Sequence, residues 1–327
     1  MQKGSERMSY YIGIDIGGTS VKAGLVNGEY EIVKKLSLPT YSQDGEDNGE
    51  KLANALNKLV RDLCAETGIP LDEVVSIGAG IPGSVDSQSG TIIYSNNIVM
   101  ENVPLRELVL ARLGRKIEMA NDADAAALGE CLAGAMKGCK YAMMITLGTG
   151  VGSGVIIDGK IYSGYHSRGG EFGHTVVEIG GVRCTCGRPG CLESYASATG
   201  LIRMTKEEMM SDPQSGMWEL VGGDIGKVDG KTAFDAREKG DASAAKVVDT
   251  YIRYLACGVT NFINMLHPQK ICFGGGISHS GEALLAPLRA EVYKEVYGGA
   301  DKYTTELVQA SLGNDAGIIG AAMLGRE

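Results

Sequence analysis

One histidine and three cysteines fall within the stretch GHTVVEIGGVRCTCGRPGCLE, from Gly173 to Glu193. His174, Cys184, Cys186 and Cys191 supply one nitrogen and three sulfurs, the set that suits tetrahedral zinc, and glycines between them let the backbone turn tightly around an ion. A redox or disulfide pair is the alternative, which a reducing compartment disfavours. Four protein ligands close the coordination sphere, so the zinc expected here is structural and does not activate water. Glu171, His174 and Glu193 bracket the cluster. Folding the loop around zinc would fix two carboxylates and an imidazole into a rigid polar rim, suited to gripping a polyhydroxylated ligand. Spacing alone equally allows glutamates that merely face solvent.

Three glycine-rich turns offer a second kind of chemistry. Gly17, Gly18 and Thr19 lie in DIGGTS, Gly148, Thr149 and Gly150 in LGTGVGSG, and Gly274 and Gly275 in FGGGIS. Backbone N–H groups in such turns form concave anion sites, and the Thr19 and Thr149 hydroxyls can add donors. Glycine also serves ordinary tight turns, but three such turns together point to a nucleotide. None matches the P-loop or the Rossmann fingerprint, so a dehydrogenase reading lacks support. Asp15 ends an apolar run just before the first turn, where a carboxylate can hold Mg²⁺, often through water. Asp122 follows KIEMAN at the start of a helical pattern, where N-capping is its ordinary role.

The elements that must position these residues alternate between strand and helix. Tyr10 to Val26 reads as strand, glycine turn, strand, and EIVKKLSLP as a third strand. Leu52, Leu56, Leu59, Val60 and Leu63 recur at helical spacing and stop at Gly68. VVSIGAGIPG and KIEMAND read as buried strands, and ADAAALGECLAGA as a helix. Tyr141 to Ile157 repeats the strand, turn, strand layout, which suggests a duplicated domain. A long apolar helix, AAKVVDTYIRYLACGVTNFINML, follows; it suits either a core or an interface. KICFGGGIS reads as a strand and DAGIIGAAMLG as a closing helix. This alternation implies a largely parallel α/β sheet in each half. Residues 203–241 carry little readable pattern.

At 327 residues the chain is long enough for two domains, and 44% apolar against 22% charged residues gives no case for disorder. The expected division is a first lobe over residues 1–120 and a second over 121–313. With 40 acidic and 31 basic side chains the net charge is −9, which argues against nucleic acid and anionic membranes as partners. No apolar run reaches membrane-spanning length, and MQKGSERMSYY lacks the apolar core of a secretion signal. A cytoplasmic protein is expected. The remaining five of eight cysteines (Cys64, Cys131, Cys139, Cys257 and Cys272) are scattered and read as reduced thiols.

Taken together these motifs resemble the ROK family (repressors, open reading frames and sugar kinases) from Ile12 to Gly325. DIGGTSVKAGLV is similar to its first phosphate motif and LGTGVGSG to its second. GH followed by CxCGxxGCxE resembles the zinc signature that separates the family from other hexokinase relatives. The resemblance implies an actin-like, ribonuclease-H-like ATPase fold of two α/β lobes with a cleft between them, the closing helix at about 314–325 packing back on the first lobe. It implies an ATP-dependent hexose kinase, most like those acting on glucose, with Mg²⁺ and structural Zn²⁺. Kinases for N-acetylglucosamine, N-acetylmannosamine, fructose or allose, and a non-catalytic sugar sensor, are the alternatives.

Carried onto this chain, the resemblance makes Asp122 the general base for the sugar 6-hydroxyl. Asn121, Glu171, His174 and Glu193 become sugar contacts, with Gly83 in IPGSVD and Asn96 and Asn97 in YSNN. Asp15, Gly17, Gly18, Thr19, Gly148, Thr149, Gly150, Gly274 and Gly275 fall on the Mg-ATP side. His174 would use one ring nitrogen for zinc and the other for sugar. Asp124 stands where the family commonly has Asn, and the added charge is expected to raise the pKa of Asp122. The family's repressors carry an N-terminal helix-turn-helix module, for which IDIGGT beginning at Ile14 leaves no room. Family members are often homodimers or homotetramers, and the same is expected here.

Overall fold

The computed structural model describes residues 9–40, 47–95, 98–301 and 304–326. By compactness the chain falls into two units. One comprises Met1–Lys140, Gly154–Gly170 and Ser311–Glu327, the other Tyr141–Ser153 and Glu171–Ala310.

The first unit is built on strands β1 (Tyr10–Ile16), β2 (Ser20–Asn27), β3 (Ile32–Pro39), β4 (Val74–Ile81) and, farther along, Glu118–Asn121. Between the last two lie a small antiparallel sheet, β5 (Ser84–Asp86), β6 (Thr91–Ser95) and β7 (Met100–Val103), and a short helix; Glu118–Asn121 is therefore β8. The main sheet is ordered β3-β2-β1-β4-β8. Its β1, β2 and β3 form an antiparallel meander, whereas β4 and β8 run parallel to β1 and to each other. The parallel pairs register Asp15 with Gly80 and Ile81 with Asn121, so the acids end up at the carboxyl edge of the sheet.

Helix α1 (Asn48–Thr67) buries Leu52, Leu56, Leu59, Val60 and Leu63 and stops at Gly68, whose φ of 70° suits a residue without Cβ. It packs with α2 (Leu105–Leu113), and α3 (Asp122–Ala133) follows β8 directly. The closing helix (Asp315–Ala322) packs on α3, β1 and β4. The approach is close because glycines line it: a Cβ on Gly13 would collide with the Ile318 carbonyl, one on Gly78 with Ala321, and one on Gly129 with Ala316. Buried from Ala316 to Ala322, this helix is apolar all round, as a core helix must be. Beyond it, Arg326 lies over the Tyr11 and Tyr30 rings, 5.8 and 5.2 Å from their centroids.

The second unit is built on three parallel strands, β9 (Ala142–Leu147), β12 (Lys270–Gly274) and β13 (Glu306–Gln309), with β12 between the other two. Strand β10 (Val151–Ile157) leaves the second glycine turn and passes at Gly154 into the stretch assigned to the first unit, where it folds back as β11 (Lys160–Ile161). Residues 193–240 carry four short helices joined by turns: α4 (Glu193–Ala196), α5 (Ala198–Ser211), α6 (Met217–Leu220) and α7 (Thr232–Glu238). Helix α8 (Ala242–Leu266) starts with Asp241 accepting from the Ala244 N–H, and packs against α5, α7 and α9 (Glu282–Glu295). The closing helix is thus α10. Of the two readings open for α8, the apolar residues take the core: Val247, Val248, Tyr251, Leu255, Val259 and Phe262 are buried, and the Tyr251 hydroxyl donates to the Ala196 carbonyl at 2.8 Å.

Candidate active site

In the first unit the acids gather where β1, β4 and β8 end. The first turn closes with the Gly17 N–H donating to the Ser20 carbonyl at 2.9 Å. Asp15, beside it, lies against α10, where a Cβ on Gly317 would sit 3.2 Å from its Oδ1. Burial holds the Asp15 pKa above the ordinary carboxylate range; Lys22 opposes the rise and the charge of Asp122 adds to it. The two carboxylates therefore share one electrostatic environment.

Asn121 and Asp122 divide the start of α3. Asn121 is the cap: its Oδ1 accepts from the Ala123 N–H at 2.8 Å, while its Nδ2 donates to the Gly83 carbonyl at 3.0 Å. Gly83 has φ 111°, and a Cβ there would strike the Tyr94 carbonyl, so this hydrogen bond depends on glycine. Asp122 is the first helical residue, its Oδ1 also accepting from the Ala123 N–H at 2.9 Å. Burial raises its pKa, against the lowering effect of the Ala123 N–H and its own. The expected influence of Asp124 is not what leads the shift: Asp124 is itself buried, and desolvation is the largest cause at Asp122. Asn96 and Asn97 lie outside the described residues.

In the second unit one hairpin organises everything. The turn Gly148, Thr149, Gly150 closes with the Gly148 N–H donating to the Gly150 carbonyl at 3.0 Å. Gly275, at φ 83°, brings the end of β12 against Leu147, whose carbonyl oxygen would lie 2.5 Å from a Cβ; Gly274 packs on Met144. On β10 the Ser153 hydroxyl accepts from the Phe172 N–H at 3.2 Å, and Gly173 sits on the Val151 carbonyl, with no room for a Cβ. The hairpin thereby fixes the segment carrying Glu171 and His174. Glu171 is exposed.

Glu193 is not a glutamate idling in solvent. Its Oε2 accepts from the Val151 N–H at 3.1 Å, and its Oε1 accepts from the Thr185 hydroxyl at 3.2 Å and the Cys184 thiol at 3.3 Å. One carboxylate joins the second glycine turn to the cysteine loop. Gly150 makes room for it, because a Cβ there would meet Glu193 Oε2.

The ligand atoms of His174, Cys184, Cys186 and Cys191 all lie within 4.8 Å of one another. Cys184 Sγ is 3.6 Å from His174 Nδ1, and Cys186 Sγ is 3.6 Å from Cys191 Sγ. The latter is far beyond the roughly 2.05 Å of a disulfide. It is close to the edge, about 3.8 Å, of a tetrahedron with zinc–sulfur bonds of about 2.3 Å. With Nδ1 turned to the sulfurs, Nε2 is the nitrogen left for another partner. The loop is shaped by Cys184 N–H donating to the Arg188 carbonyl at 2.9 Å and Gly190 N–H to Val182 at 2.8 Å. Burial pushes the Cys191 thiol up to about 12 and raises Cys184, whereas a backbone hydrogen bond at Arg188 lowers Cys186. Donor set and spacing are compatible with a four-coordinate zinc.

Sequence reasoning missed the residues that support these sites. The Tyr195 hydroxyl accepts from the Val182 N–H at 2.6 Å, and its ring stacks on Tyr254 at 4.1 Å, bracing the cysteine loop against α8. The fully buried Glu130 carboxylate accepts from the Ser311 and Leu312 N–H groups at 3.0 and 2.8 Å, tying α3 to the segment that leads into α10. A carboxylate on an otherwise apolar helix face was the available signal for Glu130; Tyr195 and Ser153 offered none.

A β-meander extended by parallel strands in one unit, and a second hairpin-and-parallel-sheet unit with its own glycine turn, define an actin-like ATPase fold. The ROK family pattern matches residues 11–327, and the chain belongs to that family. It is 37% identical over 324 residues to the glucokinase of Halalkalibacterium halodurans, covering 97% of this chain and 95% of that one. It is 37% identical over 320 residues to the glucokinase of Thermotoga maritima, covering 97% of each. Among solved structures, the ROK glucokinase of Streptomyces griseus in complex with glucose and AMPPNP superposes with a TM-score of 0.80 at 33% identity, over 97% of this chain and 99% of that one.

Proposed function

We propose that the protein is an ATP-dependent hexose kinase that phosphorylates the 6-hydroxyl of glucose, with Asp122 as general base. The observation that carries this reading is the environment of Asp122. A partly buried carboxylate with a raised pKa, beside Asp15 at the foot of a glycine turn, is what proton abstraction next to a phosphoryl donor requires. Glucose as substrate is supported by the relatives named glucokinase and by the glucose and AMPPNP bound to the Streptomyces griseus enzyme.

In this reading the first unit supplies Asn121 and the Gly83 backbone to orient the sugar, and Asp122 to accept the 6-hydroxyl proton as the phosphoryl group transfers. Asp15, Gly17, Gly18 and Thr19 serve the Mg-ATP side. The second unit supplies Glu171, His174 Nε2 and Glu193 for the other hydroxyls, and Gly148, Thr149, Gly150, Gly274 and Gly275 for the nucleotide. Bound Mg²⁺ neutralises phosphate charge, which turn amides supplement. His174, Cys184, Cys186 and Cys191 hold a structural zinc whose role is to keep the sugar-facing groups rigid. A cytoplasmic location suits thiols that must stay reduced to bind zinc. Among the described residues no helix is long and apolar enough to cross a membrane. The working form is a homodimer or homotetramer, with no nucleic-acid partner.

The test is ADP release from Mg-ATP with glucose, N-acetylglucosamine, N-acetylmannosamine, fructose and allose at equal concentration. A dominant rate with glucose supports the reading, and dominance of an N-acetyl sugar reassigns the substrate. Sugar binding without turnover, in zinc-loaded protein, makes it a sensor.

A further inference from the structure

The two glycine turns are held in the same way, by a threonine that neither motif contains. In the first unit Thr40, just past β3, donates twice: its hydroxyl to the Gly17 carbonyl at 2.7 Å and its N–H to the Thr19 carbonyl at 3.0 Å. In the second unit the start of α5 does the equivalent: the Thr199 hydroxyl donates to the Thr149 carbonyl at 2.8 Å and the Ala198 N–H to the Gly148 carbonyl at 2.8 Å. Each turn therefore has two carbonyls engaged by one short segment, and one of the two donors is a threonine hydroxyl both times.

The chemistry explains why this matters. A glycine turn binds an anion only through its N–H groups; a carbonyl swung to the same side presents lone pairs to the phosphate and repels it. Glycine leaves that swing nearly free. Among the described residues the Thr149 and Gly150 N–H groups have no acceptor, whereas the carbonyls of Gly148 and Thr149 are both taken. The Thr40 and Thr199 hydroxyls are thus placed to set peptide orientation in the turns.

We propose that Thr40 and Thr199 are positioning residues for the nucleotide phosphates, each locking the carbonyls of one glycine turn so that the turn presents amides to Mg-ATP. The proposal rests on the turns being the nucleotide side, as proposed above. Among the described residues the hydrogen bonds of both threonines go to the glycine turns, so the effect is expected on nucleotide.

The test is direct binding of Mg-ADP and of glucose by calorimetry to zinc-loaded, full-length wild type, Thr40→Val, Thr199→Val and the corresponding Thr→Ser variants. One neutral hydrogen bond is worth a factor of about five in an equilibrium constant. Each Val variant is expected to weaken Mg-ADP about three- to ten-fold. Glucose affinity and zinc content stay at wild-type values, and Ser restores nucleotide affinity. Thr→Ala variants, which remove bulk as well as the hydroxyl, replace any Val variant that fails to fold. Mg-ADP affinity within two-fold of wild type in folded Val or Ala variants overturns the proposal while leaving the kinase reading intact. Wild type that binds no Mg-ADP removes both.

Discussion

Two glycine turns end in similar local geometry but rest on different foundations. The first is backed by a hydrophobic sheet and by α10, which glycines at positions 13 and 78 admit to van der Waals distance of the strands. Its neighbourhood is held by burial of Ile12, Ile14, Ile16 and Ile81. The second leans on Glu193, and through it on a glycine-rich loop of three cysteines and a histidine whose aliphatic side chains, Val176, Val177, Ile179 and Val182, are not buried. One turn is stabilised by apolar packing; the other is held by hydrogen bonds to a carboxylate that also accepts from the cysteine loop. The proposed roles follow the same division, with the base Asp122 in the first unit and the proposed sugar-facing groups Glu171, His174 and Glu193 in the second.

The largest effect expected from breaking the first unit is chemical rather than structural. Asp122→Asn should lower kcat about 10² to 10⁴-fold, measured by coupled ADP release, while glucose and Mg-ADP still bind. Its folded pKa is raised by burial, so its contribution to stability is full below the unfolded pKa and is lost as pH rises through the folded one. Above that range burial of the Asp122 carboxyl is therefore a cost. Calorimetric melting at pH 7 should show the Asn variant at least as stable as wild type; a variant that melts lower contradicts the burial argument.

The second unit should fail structurally. Metal analysis should find about one zinc per chain. Chelation, or Cys184→Ser, should weaken glucose binding by at least about ten-fold. Hydrogen exchange should then quicken at residues 148–151 through Glu193, while residues 14–19 keep their protection. Equal loss at both turns would erase the contrast drawn here.

Single methyl groups probe the same contrast more finely. Gly173→Ala drives a Cβ into the Val151 carbonyl and should cost about 1–3 kcal/mol by denaturant unfolding. Gly148→Ala meets nothing within 4 Å and should stay within about 0.5 kcal/mol. The smallest effect concerns pH. The acid limb of kcat/KM should lie above the ordinary aspartate value of about 3.9, because Asp122 must be ionised to act as a base. Asp15→Asn, by removing a neighbouring negative charge, should move that limb to lower pH. A limb that does not move means the two acids are uncoupled.

Long, strongly periodic stretches were legible in advance: β1 and β2 around their turn, α1 with its glycine stop, and α8 from its apolar spacing. The small sheet of β5, β6 and β7 was not, because strands of three to five residues are too short to display alternation. Residues 203–241 hold the end of α5, then α6 and α7, joined by turns, although Met, Asp and Gly break their pattern; packing of α5 and α7 against α8 outweighs weak propensity. At the start of α3 two neighbouring residues were each able to cap the helix, and only the fold made Asn121 the cap and Asp122 the first helical residue.

By itself the sequence determined residue chemistry and local geometry: a Cys3His ligand set with glycine spacers, and turns rich enough in glycine to offer their amides. Those properties depend on side-chain type and on neighbours a few positions away. Tertiary structure alone decided which groups were brought together across long stretches of chain. It set Asp15 in the field of Asp122, brought Gly173 onto Val151, and spent both oxygens of Glu193 on partners eight to forty-two residues away. It also brought Thr40 and Thr199 to the two turns. A lone threonine carries no periodicity, and its hydrogen bond to a distant carbonyl exists only once the intervening chain has packed.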